Sequence, residues 1–288
     1  MESNFARGPA PVSDIAAADR ELEALASLLE TERESSLGIL VEQIRAFPDN
    51  RFERLLEFVP PDSRAFPRLD LVTAERAVPR MQAALLEWRS SGADLETGMT
   101  LLARTAYPRL KTEDVKAQLD AIALQLRPKI PFNGPRNILT FFTQQMRNVH
   151  GFHGSSEDYY DPDKTYVNRV LEHRTGLPIS LAAIYILVGN RLGLDIDGVP
   201  LPGHFIACLR SGSDTLYFDP FREGALLSLQ EVMSIVTGTG TAFRPEHLRP
   251  PTSPEILRRM LSNLESAYGR RHDSERSELV RQYLSVLS

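Results

Sequence analysis

Hydrophobic residues recur at three- and four-residue steps through the first half of the chain, which is typical of amphipathic helices. In DIAAADRELEALASLLETE the face is formed by Ile15, Leu22, Leu25, Leu28 and Leu29, with charged residues opposite. Similar patterns follow in SLGILVEQIRAF, NRFERLLEFV, AERAVPRMQAALLEWR, DLETGMTLLARTAY and KTEDVKAQLDAIALQLR. Prolines at positions 48, 60, 61 and 67 punctuate the earlier segments, and Thr112 with Asp114 predicts an N-terminal cap for the last. We therefore expect a disordered tail at 1–13 and a helical region over 14–128.

The pattern changes after residue 128, where helical segments give way to strand-like ones. A short helix over Tyr166–Arg174 precedes an apolar helix that begins at Pro178 and ends at Gly193, a typical position for a glycine past a helix end. Strand patterns then follow in IDGVPLPGHFIACLR, SDTLYFDPF and GALLSL, and Gly212 predicts a hairpin between the first two. Residues 129–248 are thus predicted to form a helix-plus-antiparallel-sheet domain, which makes the fold class α+β.

The end of the chain predicts a helical hairpin over residues 249–288. The proline-rich break RPPTSP precedes PEILRRMLSNLESAYGRR, and SERSELVRQYLSVL follows, with Asp273 or Ser274 as its cap. A single helix pair cannot bury both of its faces, so this hairpin is expected to cap the preceding domain.

Composition excludes several classes of function. A net charge of −5 argues against a nucleic-acid partner, and the apolar stretch LAAIYILVG is too short to cross a bilayer. Cys208 is the only cysteine, which excludes an intrachain disulfide and a thiolate zinc site and favours a cytoplasmic setting. The segments HGFHG and DPDKTYVN lack the ligand spacing of zinc and calcium sites. We therefore expect no metal, no cofactor and no membrane association.

The candidate chemistry lies in the two strand segments. Because side chains alternate along a strand, His204 shares a face with Cys208, and pairing with the next strand brings Asp219 towards His204. A carboxylate beside an imidazole selects its tautomer and stabilises the imidazolium, which is the orienting half of a catalytic triad. A nucleophile would then come from the N-terminus of the preceding helix, where free N–H groups activate a thiol and bind an oxyanion.

In order and spacing these residues resemble those of transglutaminase-like folds. The surrounding sequence resembles the bacterial SirB-type transglutaminase-like/tetratricopeptide family. The matching pieces cover roughly residues 90–270: DLETGMTLLARTAYP, DPDKTYVNRVLEHRTGLPISLAAIYILVGNRLGL, GVPLPGHFIACL, LYFDPF and EILRRMLSNL. The resemblance implies a papain-like domain, with His204 as the base and Asp219 as the orienting carboxylate. It aligns Gly176-Leu177-Pro178 with the glycine, spacer and cysteine of active members, so Pro178 stands in the position of the nucleophile.

Two other residues could supply a nucleophile. Ser180 lies two positions further into the helix, and an arrangement of Ser180, His204 and Asp219 would make a hydrolase or acyl-transferase. A serine in the first turn more often bonds nearby backbone, and Cys208 is better read as a core residue. Asn168 and Arg174 match residues of the family motif, and with Pro178 and Tyr217 they are expected to line the same cleft.

Three functions remain open at this point. The preferred reading is a non-catalytic transglutaminase-like protein that acts as a cytosolic binding or regulatory module for an unidentified protein or peptide. The enzyme built on Ser180 is the first alternative. A structural interaction scaffold that uses the helical regions is the second.

Overall fold

The structure is a computed structural model that describes residues 12–31, 33–60, 62–131 and 134–287. The chain divides into two compact units between Glu75 and Arg76. The domain boundaries that the sequence predicts near 128 and 248 stay predictions. Most of the predicted disordered tail lies outside the described residues, and its last two residues, Val12 and Ser13, already belong to the first helix.

The first unit is helical, as the hydrophobic pattern predicts. It contains α1 (Val12–Thr31), α2 (Glu34–Arg45), α3 (Asp49–Phe58) and the first part of α4 (Phe66–Ser90). Pro48 precedes α3 as its N-cap residue, whereas Pro67 is the second residue of α4, where its missing N–H needs no intrahelical partner. The core of this unit includes Leu22, Ala26, Leu29, Leu37, Val41, Ile44, Phe52, Leu55 and Leu69.

The second unit combines helices with a small sheet. Its remaining helices are α5 (Leu95–Arg104), α6 (Thr112–Leu126), α7 (Pro135–Asn148), α8 (Val167–His173), α9 (Pro178–Arg191), α10 (Leu229–Thr237), α11 (Ser253–Arg270) and α12 (Ser274–Leu287). The predicted cap of α6 is wrong: Lys111 holds the N-cap position, and it makes no side-chain capping bond. The fold is α+β, as predicted.

The strands form two sheets in the described part of the chain. β1 (His153–Gly154) and β2 (Thr175–Gly176) make a short parallel pair. β3 (Asp195–Val199), β4 (Ile206–Ser211), β5 (Asp214–Asp219) and β6 (Ala225–Leu227) form an antiparallel sheet in chain order. Gly212 lies in the β4–β5 turn with φ of +61°, which confirms the predicted hairpin.

IDGVPLPGHFIACLR is two strands rather than one. Pro200 and Pro202 cannot donate to a strand ladder, and Gly203 has a φ of +70°, so the segment turns between β3 and β4. His204 consequently lies in the loop before β4, which begins at Ile206, and not within a strand. Its direction is set by this loop instead of by strand alternation.

Helix α9 is the centre of the second unit. Every residue from Pro178 to Gly189 is buried, which explains why its sequence is apolar on all sides. One face of the sheet packs on α9, where the rings of Tyr185 and Phe218 lie 5.9 Å apart. The opposite face packs on α10 through Val232 and Val236. None of the described helices combines the length and apolar character that a bilayer crossing requires.

The predicted C-terminal hairpin is formed by α11 and α12, and it packs on the rest of the second unit. Asp273 caps α12 by accepting the N–H of Arg276 at 3.0 Å. On α11, the hydroxyl of Tyr268 lies 2.8 Å from that of Tyr166, and both tyrosines are buried. The hairpin therefore shares a core with the domain, as expected of a pair that has no neighbouring repeat to cover it.

Candidate functional site

His204 and Asp219 form a hydrogen-bonded pair at the end of the antiparallel sheet. Nε2 of His204 donates to Oδ2 of Asp219 over 2.7 Å, and the Asp219 side chain is completely buried. The β4–β5 register that pairs Ala207 with Phe218 also brings the C-terminal residue of β5 level with the start of β4. The structure thus places Asp219 against His204, as the strand order predicts.

The carboxylate of Asp219 is stabilised by the turn that follows it. Its Oδ1 accepts the backbone N–H groups of Phe221 and Arg222 at 3.0 and 3.3 Å, and Nε of Arg222 lies 3.5 Å from Oδ2. A buried charge is tolerated when its lone pairs are used in this way. Because both oxygens are engaged, Asp219 holds a fixed orientation towards the imidazole.

The backbone of His204 is anchored separately by α11. Nη2 of Arg259 donates to the carbonyl oxygen of His204 at 2.7 Å, and its guanidinium lies 5.4 Å from the centre of the Phe205 ring. Burial lowers the pKa of Arg259. With Nε2 bound to Asp219, Nδ1 is the ring nitrogen of His204 that remains available to a ligand.

The start of α9 is linked to this pair through Phe221. β2 leads directly into α9 and pairs with β1, where Gly154 lies opposite Gly176. A Cβ on Gly154 would stand 2.4 Å from the carbonyl oxygen of Phe221, so only glycine fits there. The Phe221 ring in turn meets the His204 ring edge to face at 6.1 Å.

Pro178 is the first residue of α9, with Leu177 as the N-cap. The first intrahelical bond runs from the N–H of Leu181 to the carbonyl of Leu177 at 2.9 Å. By helix geometry the N–H groups of Ile179 and Ser180 therefore have no partner within α9. This helix end offers backbone donors, but its first side chain carries no nucleophilic atom.

Neither of the other candidate nucleophiles is in an activating environment. Ser180 is completely buried, and its Oγ has no hydrogen-bond partner among the described residues, so it does not bond to His204. Cys208 is buried in β4, and burial raises its pKa to about 11. A thiol with so high a pKa is protonated at neutral pH and is a poor nucleophile.

The other predicted cleft residues are spread over the domain. Tyr217 lies on β5 opposite Cys208 and packs against the core under α10. Asn168 lies on α8, and its Oδ1 is buried with no hydrogen-bond partner in the described structure. Arg174 ends α8 and its guanidinium lies 4.9 Å from the centre of the Phe152 ring. No described contact joins these three side chains to His204.

An open cavity of about 540 Å³ lies beside His204. It is bounded by the loop at Pro202 and Gly203, by Arg222, and by one side of α10. Leu227 of β6 and Ile235 of α10 contribute apolar groups, whereas Glu231 and Ser234 of α10 and Thr239 beyond its end contribute polar ones. The cavity thus offers a ligand apolar contacts and polar groups in similar measure.

Sequence reasoning missed the residues that hold the pair in place. Phe221 is the last residue of the LYFDPF segment, so its position two residues after Asp219 was a usable signal. Arg259 lies on α11, far along the chain, and nothing in its local sequence marks it as a partner of His204. Among the described residues no group of three or more His, Cys, Asp or Glu side chains is placed to hold a metal ion.

Comparison with known proteins gives matches in bacteria and in animals. Residues 113–262, more than half of the chain, match the family model described as the transglutaminase-like superfamily. A UPF0162 protein of Xylella fastidiosa is 32% identical over 200 residues, which cover 67% of this chain and 66% of that protein. A UPF0162 protein of Vibrio cholerae is 31% identical over 121 residues, covering 41% and 44%.

F-box only protein 21 of Mus musculus is 29% identical over 143 residues, which cover 47% of this chain and 22% of that protein. The chain therefore spans 66% of the length of the Xylella relative and a smaller share of the other two. No solved structure matches the chain.

Proposed function

The chain belongs to the transglutaminase-like superfamily, and we propose that it is a non-catalytic member of it, a binding or regulatory module whose cleft beside His204 holds a protein or peptide partner. The observation that carries this proposal is that the base and its orienting carboxylate are present at the site, whereas the nucleophile is not. The His204–Asp219 pair is intact at 2.7 Å, whereas the first residue of α9 is Pro178. Acyl transfer through a covalent intermediate needs a nucleophile, and proline has none.

The surroundings of His204 support binding. Nδ1 has no partner among the described residues, and the adjoining cavity offers the apolar side chains of Leu227 and Ile235 next to the guanidinium of Arg222. These groups match the needs of an extended peptide, which brings apolar side chains together with backbone carbonyls and carboxylates. An oriented imidazole adds one directed hydrogen bond.

The enzyme alternative lacks geometric support. A serine acts as a nucleophile when a base accepts its proton, which requires a hydrogen bond or near approach between the two groups. Ser180 is completely buried and its Oγ has no such bond. We therefore assign Ser180 to the core of α9 and not to catalysis.

The finer classification is part of the same proposal. We infer a SirB-type protein with a partial tetratricopeptide-like C-terminus, because α11 and α12 form one helical pair of the kind such repeats contain. The match to 22% of F-box only protein 21 supports a modular role, since a related segment occurs there within a much longer chain. A reducing, cytoplasmic location suits a chain whose single cysteine is buried and unpaired.

The test measures the affinity of a selected peptide ligand for the wild-type protein and for two variants. A random peptide library displayed on phage is selected on the wild-type protein, and the best peptide is titrated by fluorescence polarisation against wild type, His204→Asn and His272→Asn. His272 is exposed in the turn between α11 and α12, so it controls for the same chemical change away from the cleft.

We expect the affinity to fall at least tenfold in His204→Asn and to stay unchanged in His272→Asn. Equal affinity for all three proteins would show that the peptide binds outside the cleft, as the scaffold alternative requires. Labelling of the wild type by a fluorophosphonate, lost in Ser180→Ala, would replace the proposal by the enzyme alternative.

A further inference from the structure

The residue that ends α8 has an unusual backbone. Arg174 has a φ of +62°, a left-handed conformation that is costly for a side chain with a Cβ. Its N–H donates to the carbonyl of Val170 at 2.9 Å, and its carbonyl accepts the N–H of His153 at 3.0 Å. Because both backbone groups are held, the direction in which the arginine side chain leaves the chain is also set.

The guanidinium of Arg174 is a cation without a described counter-ion. It lies 4.9 Å from the centre of the buried Phe152 ring, and burial lowers its pKa. Its Nη1 is inaccessible to solvent and has no hydrogen-bond partner among the described residues. Buried donors in native proteins are normally hydrogen-bonded, so a bound acceptor would supply the partner that Nη1 lacks among the described residues.

A second unpartnered group lies next to it. Nε2 of His150 is also buried without a hydrogen-bond partner in the described part of the chain. Gly151, the next residue, packs beside the arginine stem, since a Cβ there would stand 3.7 Å from Cγ of Arg174. Burial lowers the pKa of His150, and the positive charges of Arg174 and Lys129 lower it further.

The cluster of His150, Arg174 and Lys129 is therefore a local concentration of donors and positive charge. The carboxyl ends of α7 and α8, at Asn148 and His173, offset part of the repulsion through their helix dipoles. They do not provide the hydrogen bonds that the two buried nitrogens lack. An acceptor that carries negative charge would satisfy both the positive charge and the hydrogen bonding of this cluster.

We propose that this cluster is a binding site for an oxyanion, either a phosphate group or a carboxylate. The guanidinium of Arg174 provides the planar donor pair that matches two oxygens of one anion. His150 provides a third donor in the tautomer that carries its proton on Nε2, and Lys129, at the surface, adds attraction without fixed geometry. None of the three lines the cavity beside His204, so this site goes beyond the peptide cleft.

The test measures binding of inorganic phosphate and of acetate by isothermal titration calorimetry, at constant ionic strength maintained with chloride. The proteins are wild type, Arg174→Gln, Lys129→Gln and Arg281→Gln. Glutamine keeps part of the stem over Phe152 while it removes the charge. Arg281 is an exposed residue of α12 whose described ion pair is with Glu278, so it is the matched control.

We expect saturable binding of at least one probe to the wild type and to Arg281→Gln, a loss of at least tenfold in affinity in Arg174→Gln, and a smaller loss in Lys129→Gln. Tighter binding of phosphate assigns the site to phosphorylated ligands, and tighter binding of acetate assigns it to carboxylates. The proposal is overturned if neither probe saturates the wild type. The proposal is also overturned if Lys129→Gln and Arg281→Gln bind with equal affinity while Arg174→Gln, shown to be natively folded, binds like wild type.

Discussion

Replacement of Asp219 by alanine should destabilise the second unit more than the loss of any surface carboxylate. The buried side chain accepts three hydrogen bonds, from Nε2 of His204 at 2.7 Å and from the backbone N–H groups of Phe221 and Arg222 at 3.0 and 3.3 Å. Alanine leaves all three donors without this acceptor in a site from which water is largely excluded. Removing one partner from a buried, charged network typically costs about 3–5 kcal/mol.

The isosteric change to asparagine should cost less. Its amide oxygen can keep the two backbone N–H groups, while its NH2 group, in the place of Oδ2, donates to Nε2 of His204 once the imidazole carries its proton on Nδ1, so the charge-assisted bond becomes a neutral one. Bonds to charged groups exceed neutral ones by about 1 kcal/mol, so we expect Asp219→Asn to lower the free energy of unfolding by about 1–2 kcal/mol. The order wild type, asparagine, alanine follows from the number of donors that lose an acceptor.

Urea unfolding followed by tryptophan fluorescence is the suitable assay. Trp88 is the only tryptophan of the chain, is buried, and donates its Nε1–H to the carbonyl of Asp94 at 2.8 Å. It belongs to the same compact unit as Asp219, so its fluorescence reports on the unfolding of that unit. Asp195→Ala is the control, because Asp195 is exposed and its 3.3 Å pair with Arg210 at the surface should contribute about 1 kcal/mol or less.

The reasoning is refuted if Asp219→Ala and Asp195→Ala lower the free energy of unfolding equally. That result would mean that the bonds around Asp219 contribute no more than a solvated ion pair. The description of a rigid, pre-oriented imidazole would then be wrong.

Three further predictions concern other parts of the second unit. The Cys208 thiol, with a pKa raised to about 11 by burial, should resist Ellman's reagent at pH 8 until urea unfolds the protein, and prompt reaction of the native protein would contradict the packing of β4. Gly154→Ala places a Cβ 2.4 Å from the carbonyl oxygen of Phe221 and should cost about 1–3 kcal/mol in the urea assay, whereas Gly269→Ala, in open space on α11, should be neutral or stabilising. The pKa of Glu255 is lowered from 4.5 to about 2, first by Arg249 and then by the N–H of Thr252. Its contribution, about 0.5 kcal/mol for an exposed cap, is present above pH 4.5 and lost as the pH falls towards 2, so the stability difference between wild type and Glu255→Gln should vanish over that range.

Local patterns in the sequence predict most of the elements around the site. The apolar run after Pro178 predicts a buried helix, and Gly212 predicts the hairpin that brings Asp219 towards His204. Both features depend on neighbouring residues, whose spacing is visible in the chain. The break between β3 and β4 also has a local signal in Pro200 and Pro202. The apolar residues around these prolines nevertheless gave the whole segment the pattern of a single strand.

Contacts between distant segments are not encoded in any local pattern. Arg259 reaches the carbonyl of His204 only because α11 packs against the loop before β4. The position of Ser180 is a similar case, since its place in the first turn of α9 is compatible with a cleft or with the core. Ser180 lies in the core because α9 is buried on all sides. That burial depends on how the sheet covers the helix, which no local pattern shows.

The central claim is that the cleft beside His204 holds a partner without changing it covalently. The most direct measurement is mass spectrometry of the selected peptide, and of the protein, after prolonged incubation at saturating concentrations. We predict that both masses stay unchanged for wild type, while the affinity depends on His204. Cleavage of the peptide, or a covalent adduct that disappears in Ser180→Ala, would contradict the account.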